Sequence, residues 1–162
     1  MEYKNLVLDF IERTEKNLRF IEQAALNERN GEVYEITQLI NSLLGLIVFP
    51  SENFYQSIPE KPLAELQAQG WRIPEVSRDF QQVENLRQLM RNLRNSIAHS
   101  NLEFDSNGYH LTGVRLWNCR GGIKNWEIRM SLEELRSLTQ QFIQLIRQEQ
   151  EKFGGDQRRN CQ

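Results

Sequence analysis

Apolar residues return every three or four positions in several long stretches of this chain, and that spacing limits its fold more than any other feature. From Tyr3 to about Asn27 they fall at Leu6, Phe10, Leu18, Ile21 and Ala25, with Val7, Ile11 and Phe20 beside them and charged residues between. Such a stripe predicts a helix with one buried face. Asn30-Gly31 is its stop signal. A second helix is predicted from about Val33 to Val48, on Ile36, Leu39, Ile40, Leu43, Leu44 and Ile47. Pro50 ends it, because proline pushes the preceding residue out of helical geometry. A third starts near Ser77 and carries Phe80, Val83, Leu86, Met90, Leu93 and Ile97 before ending near His99. The last opens at Ser131-Leu132-Glu133-Glu134, which fits a capping box, and fades by Phe153-Gly154-Gly155.

Between these stretches the pattern changes. Residues 51–77 hold Pro59, Pro62, Gly70 and Pro74, with short helices expected at Ser51–Ile58 and Pro62–Gln69. Three segments after His99 read as strands: Leu102–Phe104, Tyr109–Asn118 and Asn125–Met130. Turn residues at Asp105–Gly108 and Arg120–Gly122 separate them, which predicts an antiparallel meander of two or three strands. The expected fold is mainly α: an up-and-down helical bundle of four main helices, with a small antiparallel β-meander inserted before the last helix. Residues 1–153 are expected to form one domain, and residues 154–162 a flexible polar tail.

The charge balance narrows the functional classes. With net charge −2 there is no global basic field to hold nucleic acid, so any RNA contact needs a local patch. The two cysteines, Cys119 and Cys161, make no disulfide framework, and no Cys/His cluster suggests a metal. Gly121-Gly122 is read as a turn, since no phosphate-loop pattern surrounds it. No metal and no cofactor are expected. The longest apolar run, Leu43–Phe49, is seven residues, too short for a membrane span, and a cytoplasmic location is expected.

The segment LRNSIAHSN, Leu93–Asn101, concentrates the residues with reactive chemistry. Histidine as a residue type can take or give a proton near neutral pH, which makes His99 a candidate acid–base group. Arg94 can hold a phosphate bidentately and stabilise the extra charge of a phosphorane. Asn95 can hydrogen-bond the phosphate or orient the imidazole. Together they suit attack of a ribose 2′-OH on the neighbouring phosphate. Asn95 and His99 share a helix face, whereas Arg94 and His99 differ by about 140°. A single ideal helix would not aim both at one atom; a frayed end or a second copy across a two-fold axis would. Arg87, Arg91 and Arg94 recur at i, i+4, i+7, and Arg87 and Arg91 are candidate substrate-binding residues. The bland readings are a His⁺ at a helix C-terminus and a solvated basic face. Trp117 and Trp126 are candidates for base stacking or, more simply, for packing the meander. His110 is expected at the surface or an edge.

Arg94-Asn95, then three residues, then His99 matches the R-[polar]-x3-H motif of the HEPN superfamily. The surrounding MRNLRNSIAHSNLEF and the stretch INSLLGLIVFPSE at Ile40–Glu52 also resemble small stand-alone bacterial HEPN proteins. The resemblance covers about residues 3–150. It implies an α-helical domain, a homodimer with two motifs in a composite cleft, and a metal-independent endoribonuclease of a toxin–antitoxin or phage-defence kind. His99 would be the acid–base residue, Arg94 the phosphate ligand and Asn95 its support. RNA and an antitoxin or immunity protein would be partners. Members paired with a nucleotidyltransferase antitoxin commonly carry Tyr two residues after the His; here that residue is Asn101. The rival reading is a non-catalytic helical module that binds nucleotide or protein.

Overall fold

In a computed structural model, residues 6–27, 33–48, 58–108 and 110–159 are described. Among them the order is α1 (Leu6–Asn27), α2 (Glu35–Val48), α3 (Leu63–Ala68), α4 (Leu86–Ala98), β1 (Leu102–Ser106), β2 (Leu111–Arg120), β3 (Ile123–Ser131) and α5 (Leu132–Arg159). The stops expected at Asn30-Gly31 and Pro50, and all but Ile58 of the helix expected at Ser51–Ile58, lie outside the described residues. The chain divides into two units, Met1–Leu46 with Gln140–Gln162, and Ile47–Thr139.

The first unit is helical. Ile11 and Leu18 of α1, Leu39, Leu43 and Leu46 of α2, and Phe142, Ile143, Leu145 and Ile146 of α5 are its buried apolar residues. Helices α1 and α2 approach closely at Gly45, where a Cβ would stand 2.9 Å from Phe10 Cζ. Glu15 accepts hydrogen bonds from Arg19, one turn on, and from Arg147 of α5 at 2.6 Å. Burial pushes the Glu15 pKa up, but the hydrogen bonds and charges of the two guanidinium groups outweigh it and hold the carboxyl below its ordinary value.

The second unit is built on an antiparallel sheet of order β1-β2-β3. Opposite residues share a face, so Val114 with Met130, Leu116 with Ile128 and Asn118 with Trp126 form the inner face. All six are buried. Helix α4 packs against β2 and buries Leu86, Leu89, Met90, Leu93 and Ser96. The β2–β3 hairpin closes on Gly121-Gly122, both at positive φ (59° and 78°), as a tight two-residue hairpin turn requires.

This corrects the expected fold. The chain is not a four-helix bundle carrying a β decoration. The described residues hold five helices, and the sheet supplies Val114, Leu116, Trp126, Ile128 and Met130 to the core of its unit. Each buried aliphatic residue of that kind is worth about 1.5–3 kcal/mol, so this inner face rivals the buried stripe of a long helix. The strands themselves are legible as alternation. Whether a meander decorates or builds a core depends on what its apolar face meets, and here it meets α4.

The start of α4 is a second correction. The helix begins at Leu86, not near Ser77, because Asn85 caps it: the Asn85 side chain accepts from Gln88 N at 3.0 Å. Gln88 Oε1 in turn accepts from Glu84 N at 3.1 Å. Upstream the chain is irregular and runs along the free edge of β3, where Ser77 N donates to Glu127 O (2.9 Å) and Gln81 N to Asn125 O (3.2 Å). At the start of α5 the capping box is present: Glu134 N donates to Ser131 Oγ at 3.2 Å, and Ser131 N to Glu134 Oε2 at 2.7 Å. Helix α5 then continues through Gly154 and Gly155 to Arg159.

Candidate functional site

Helix α4 ends on a specific turn. Ser100 N donates to Ile97 O at 3.0 Å, Asn101 N donates to Ser96 O at 2.8 Å, and Ser100 has φ = 56°. These two bonds and the left-handed residue make a Schellman closure. Glycine occupies such a position freely, whereas a serine there costs about 1–2 kcal/mol. The turn reverses the chain, so that Asn101 O receives Trp117 N of β2 at 3.2 Å and β1 begins at Leu102.

Two side chains and one backbone carbonyl lock α4 to β2. The backbone Asn92 O accepts from Asn118 Nδ2 (3.0 Å), and the single Ser96 hydroxyl proton is shared between Asn92 O (2.9 Å) and Asn118 Oδ1 (3.1 Å). Ser96 is fully buried and Asn118 nearly so. A buried polar group is tolerated only when satisfied, and this cluster satisfies itself in one helix–strand register. Next to it the hairpin slips register. Asn118 pairs with Trp126 and Cys119 with Lys124, which leaves Asn125 as the extra residue of a β-bulge.

These devices together form a cleft of about 490 Å³. Asn92, Asn95 and His99 line it from one face of α4, at i, i+3 and i+7. Asn101 follows from the turn, Asn118, Cys119 and Arg120 from the end of β2, and Asn125 from the bulge. Five asparagines, one histidine, one arginine and one cysteine make the wall, with no carboxylate among the described lining. Asn125 Oδ1 is buried and makes no hydrogen bond. Such an orphaned acceptor costs about 1–3 kcal/mol, and a turn of the amide toward a ligand would recover it. The wall can therefore hydrogen-bond a neutral polar edge through its amides and accept an anion beside His99 and Arg120.

Of the residues singled out in the sequence, Asn95 and His99 stand together in the cleft, and His99 is exposed. Arg94 is half-buried on the other flank of α4 and does not line it. Arg87 is half-buried and turned to the segment before α3, donating to Ile58 O at 2.7 Å and pairing with Glu60 at 2.5 Å. Arg91 is exposed outside the cleft. His110 is exposed between β1 and β2. Trp126 is core, 1% exposed, and Trp117 lies half-buried with Arg115 and Lys124 over its ring at 5.8 and 5.1 Å. Among the described residues, no group of three or more His, Cys, Asp or Glu is placed to hold a metal ion, and no helix is long and apolar enough to cross a membrane.

The sequence reading missed Asn92, Asn101, Asn118, Cys119, Arg120 and Asn125 as members of the site. Asn92 carried a signal, since it sits three and seven residues before Asn95 and His99 on one helical face. Asn101 sits two residues after His99 and needed only the turn, whereas Asn118, Cys119, Arg120 and Asn125 carried no signal, because only strand register and the bulge bring them to α4.

A family model described as HEPN pEK499 p136 matches residues 1–153. The chain belongs to this HEPN family. No curated protein and no solved structure matches it. In this HEPN chain the R-[polar]-x3-H segment is the last turn of α4 and its cap, with His99 at the C-cap. The motif's Asn95 and His99 line the asparagine-rich cleft, and its Arg94 is not among the lining residues within one copy of the chain.

Proposed function

We propose that this HEPN protein is a metal-independent endoribonuclease that works as a homodimer. The carrying observation is the pair Asn95–His99 on the wall of an open polar cleft with no carboxylate among its described lining. A phosphodiester can enter such a cleft without meeting like charge. In the reaction, the ribose 2′-oxygen forms a bond to phosphorus and the bond from phosphorus to the 5′-oxygen breaks. One His99 takes the 2′-OH proton, and a protonated His99 from the second copy gives a proton to the leaving 5′-oxygen. Arg94, half-buried on the far flank of its own α4, would serve the phosphorane in the composite cleft of the dimer. Asn95 would hold the phosphate or the imidazole. The products are a 2′,3′-cyclic phosphate and a 5′-hydroxyl. A toxin or phage-defence role, with an antitoxin or immunity protein as partner and the cytoplasm as compartment, follows from the same reading.

The position of Arg94 outside the cleft favours one second reading: a nucleotide- or protein-binding HEPN module whose motif is never assembled. Cleavage of total cellular RNA in excess EDTA separates the two. The nuclease reading expects wild-type cleavage with cyclic phosphate ends, and a loss of at least about 10²-fold in His99→Ala and Arg94→Ala. An intact RNA pool after incubation with folded, dimeric wild type moves the assignment to the binding module.

A further inference from the structure

The meander carries four cations, and three are neutralised. Arg115 pairs with Glu103, Arg129 with Asp105 at 3.0 Å, and Lys124 with Glu127 at 2.6 Å. Arg120 is the exception among the described residues. It is exposed, makes no ion pair or side-chain hydrogen bond, and stands on the wall of the cleft that His99 also lines. It is held there by the end of β2, immediately before the Gly121-Gly122 turn. An arginine left without a carboxylate, in a cleft whose other described lining is five asparagines, His99 and Cys119, is an anion ligand in waiting.

We infer that Arg120 is the phosphate-binding residue of this cleft, holding a single-stranded RNA phosphodiester beside His99 while the asparagine amides hydrogen-bond the attached nucleoside. The choice of RNA rests on the nuclease reading; the anion site itself does not. Arg120 thus supplies within one copy of the chain the cation that Arg94 does not bring to this wall.

The test is fluorescence anisotropy with the full chain and a labelled single-stranded 2′-O-methyl RNA oligonucleotide, which cannot be cleaved because its 2′-oxygens are blocked. Binding is measured from about 50 to 200 mM salt, where each neutralised phosphate steepens the dependence of affinity on salt. Arg120→Gln is expected to weaken binding about tenfold and to reduce the salt slope by roughly 0.7, the share of one phosphate on a single strand. Arg120→Lys is expected to keep the slope, and Arg129→Gln, whose charge is already paired with Asp105, to stay within about twofold of wild type. Equal affinity and slope in wild type and Arg120→Gln overturns the inference. So does an equal loss of affinity in Arg120→Gln and Arg129→Gln, or no binding by the wild type at about 50 mM salt. Cleavage of ordinary RNA is read in parallel. Binding through Arg120 without cleavage keeps this inference and removes the nuclease reading; cleavage with an Arg120-independent slope does the reverse.

Discussion

The outer face of the sheet and the cleft at the end of α4 handle charge in opposite ways. On the outer face Arg115 and Arg129 stand directly opposite each other, a repulsive placement, and each is relieved by a carboxylate of β1. Arg129 grips Asp105 with two bonds, at 3.0 and 3.2 Å. The hydrogen bond and charge of Glu103 raise the Arg115 pKa above its ordinary value. In the cleft, only a few residues along the same hairpin, His99 and Arg120 have no carboxylate beside them among the described lining, and amides replace acids. A paired surface cation mainly helps solubility and local order. An unpaired one facing a polar cleft retains its charge for something else. Local cost is carried on both sides: the cleft holds the left-handed Ser100 and the orphaned Asn125 Oδ1, and the outer face the buried, unpartnered Arg115 Nε.

Three substitutions press on that contrast. The largest effect is expected at Asn118, which bonds Ser96 Oγ and Asn92 O and so holds the cleft side in register. Asn118→Ala should lower urea-denaturation stability by about 1–3 kcal/mol and disturb oligonucleotide binding as well. A loss under about 0.5 kcal/mol, on the surface-substitution scale, would mean that the amide cluster does not organise the cleft. Ser100→Gly comes next. It relieves the left-handed serine and should raise stability by about 1 kcal/mol, read as an upward shift in melting temperature. A destabilised Ser100→Gly variant would show that no strain is stored at this turn. The smallest effect belongs to the outer face. Arg129→Ala, which breaks an exposed pair, should cost less than about 1 kcal/mol, and the cost should shrink in high salt. A salt-independent loss larger than the Asn118→Ala effect would invert the comparison.

Several elements are legible in the chain alone because their signals are local. The apolar stripe of α1, the capping box at Ser131–Glu134 and the paired glycines of the β2–β3 turn each sit within a few residues of the structure they specify. The start of α4 is misread for an equally local reason. Phe80 and Val83 extend the three-to-four spacing backward, and that periodicity outweighs the Asn85–Gln88 cap that ends it. The site divides the same way. Asn95 and His99 are legible as a motif, whereas Arg87 sits within the same arginine spacing yet is drawn to Ile58 and Glu60, positions far away in the chain.

The sequence by itself determined the helical stripes, the strand alternation, the caps and the Arg94-Asn95-His99 motif, because each depends on neighbours within about two turns of chain. Only the tertiary structure decided that the sheet is core and not ornament, and that His99 shares a wall with Arg120, Asn118 and Asn125 and not with Arg94. Those outcomes depend on which face of β2 meets α4 and on a one-residue bulge in β3. Strand register turns each side chain to one face or the other, and it is chosen by burial across the whole unit, so no local pattern encodes it.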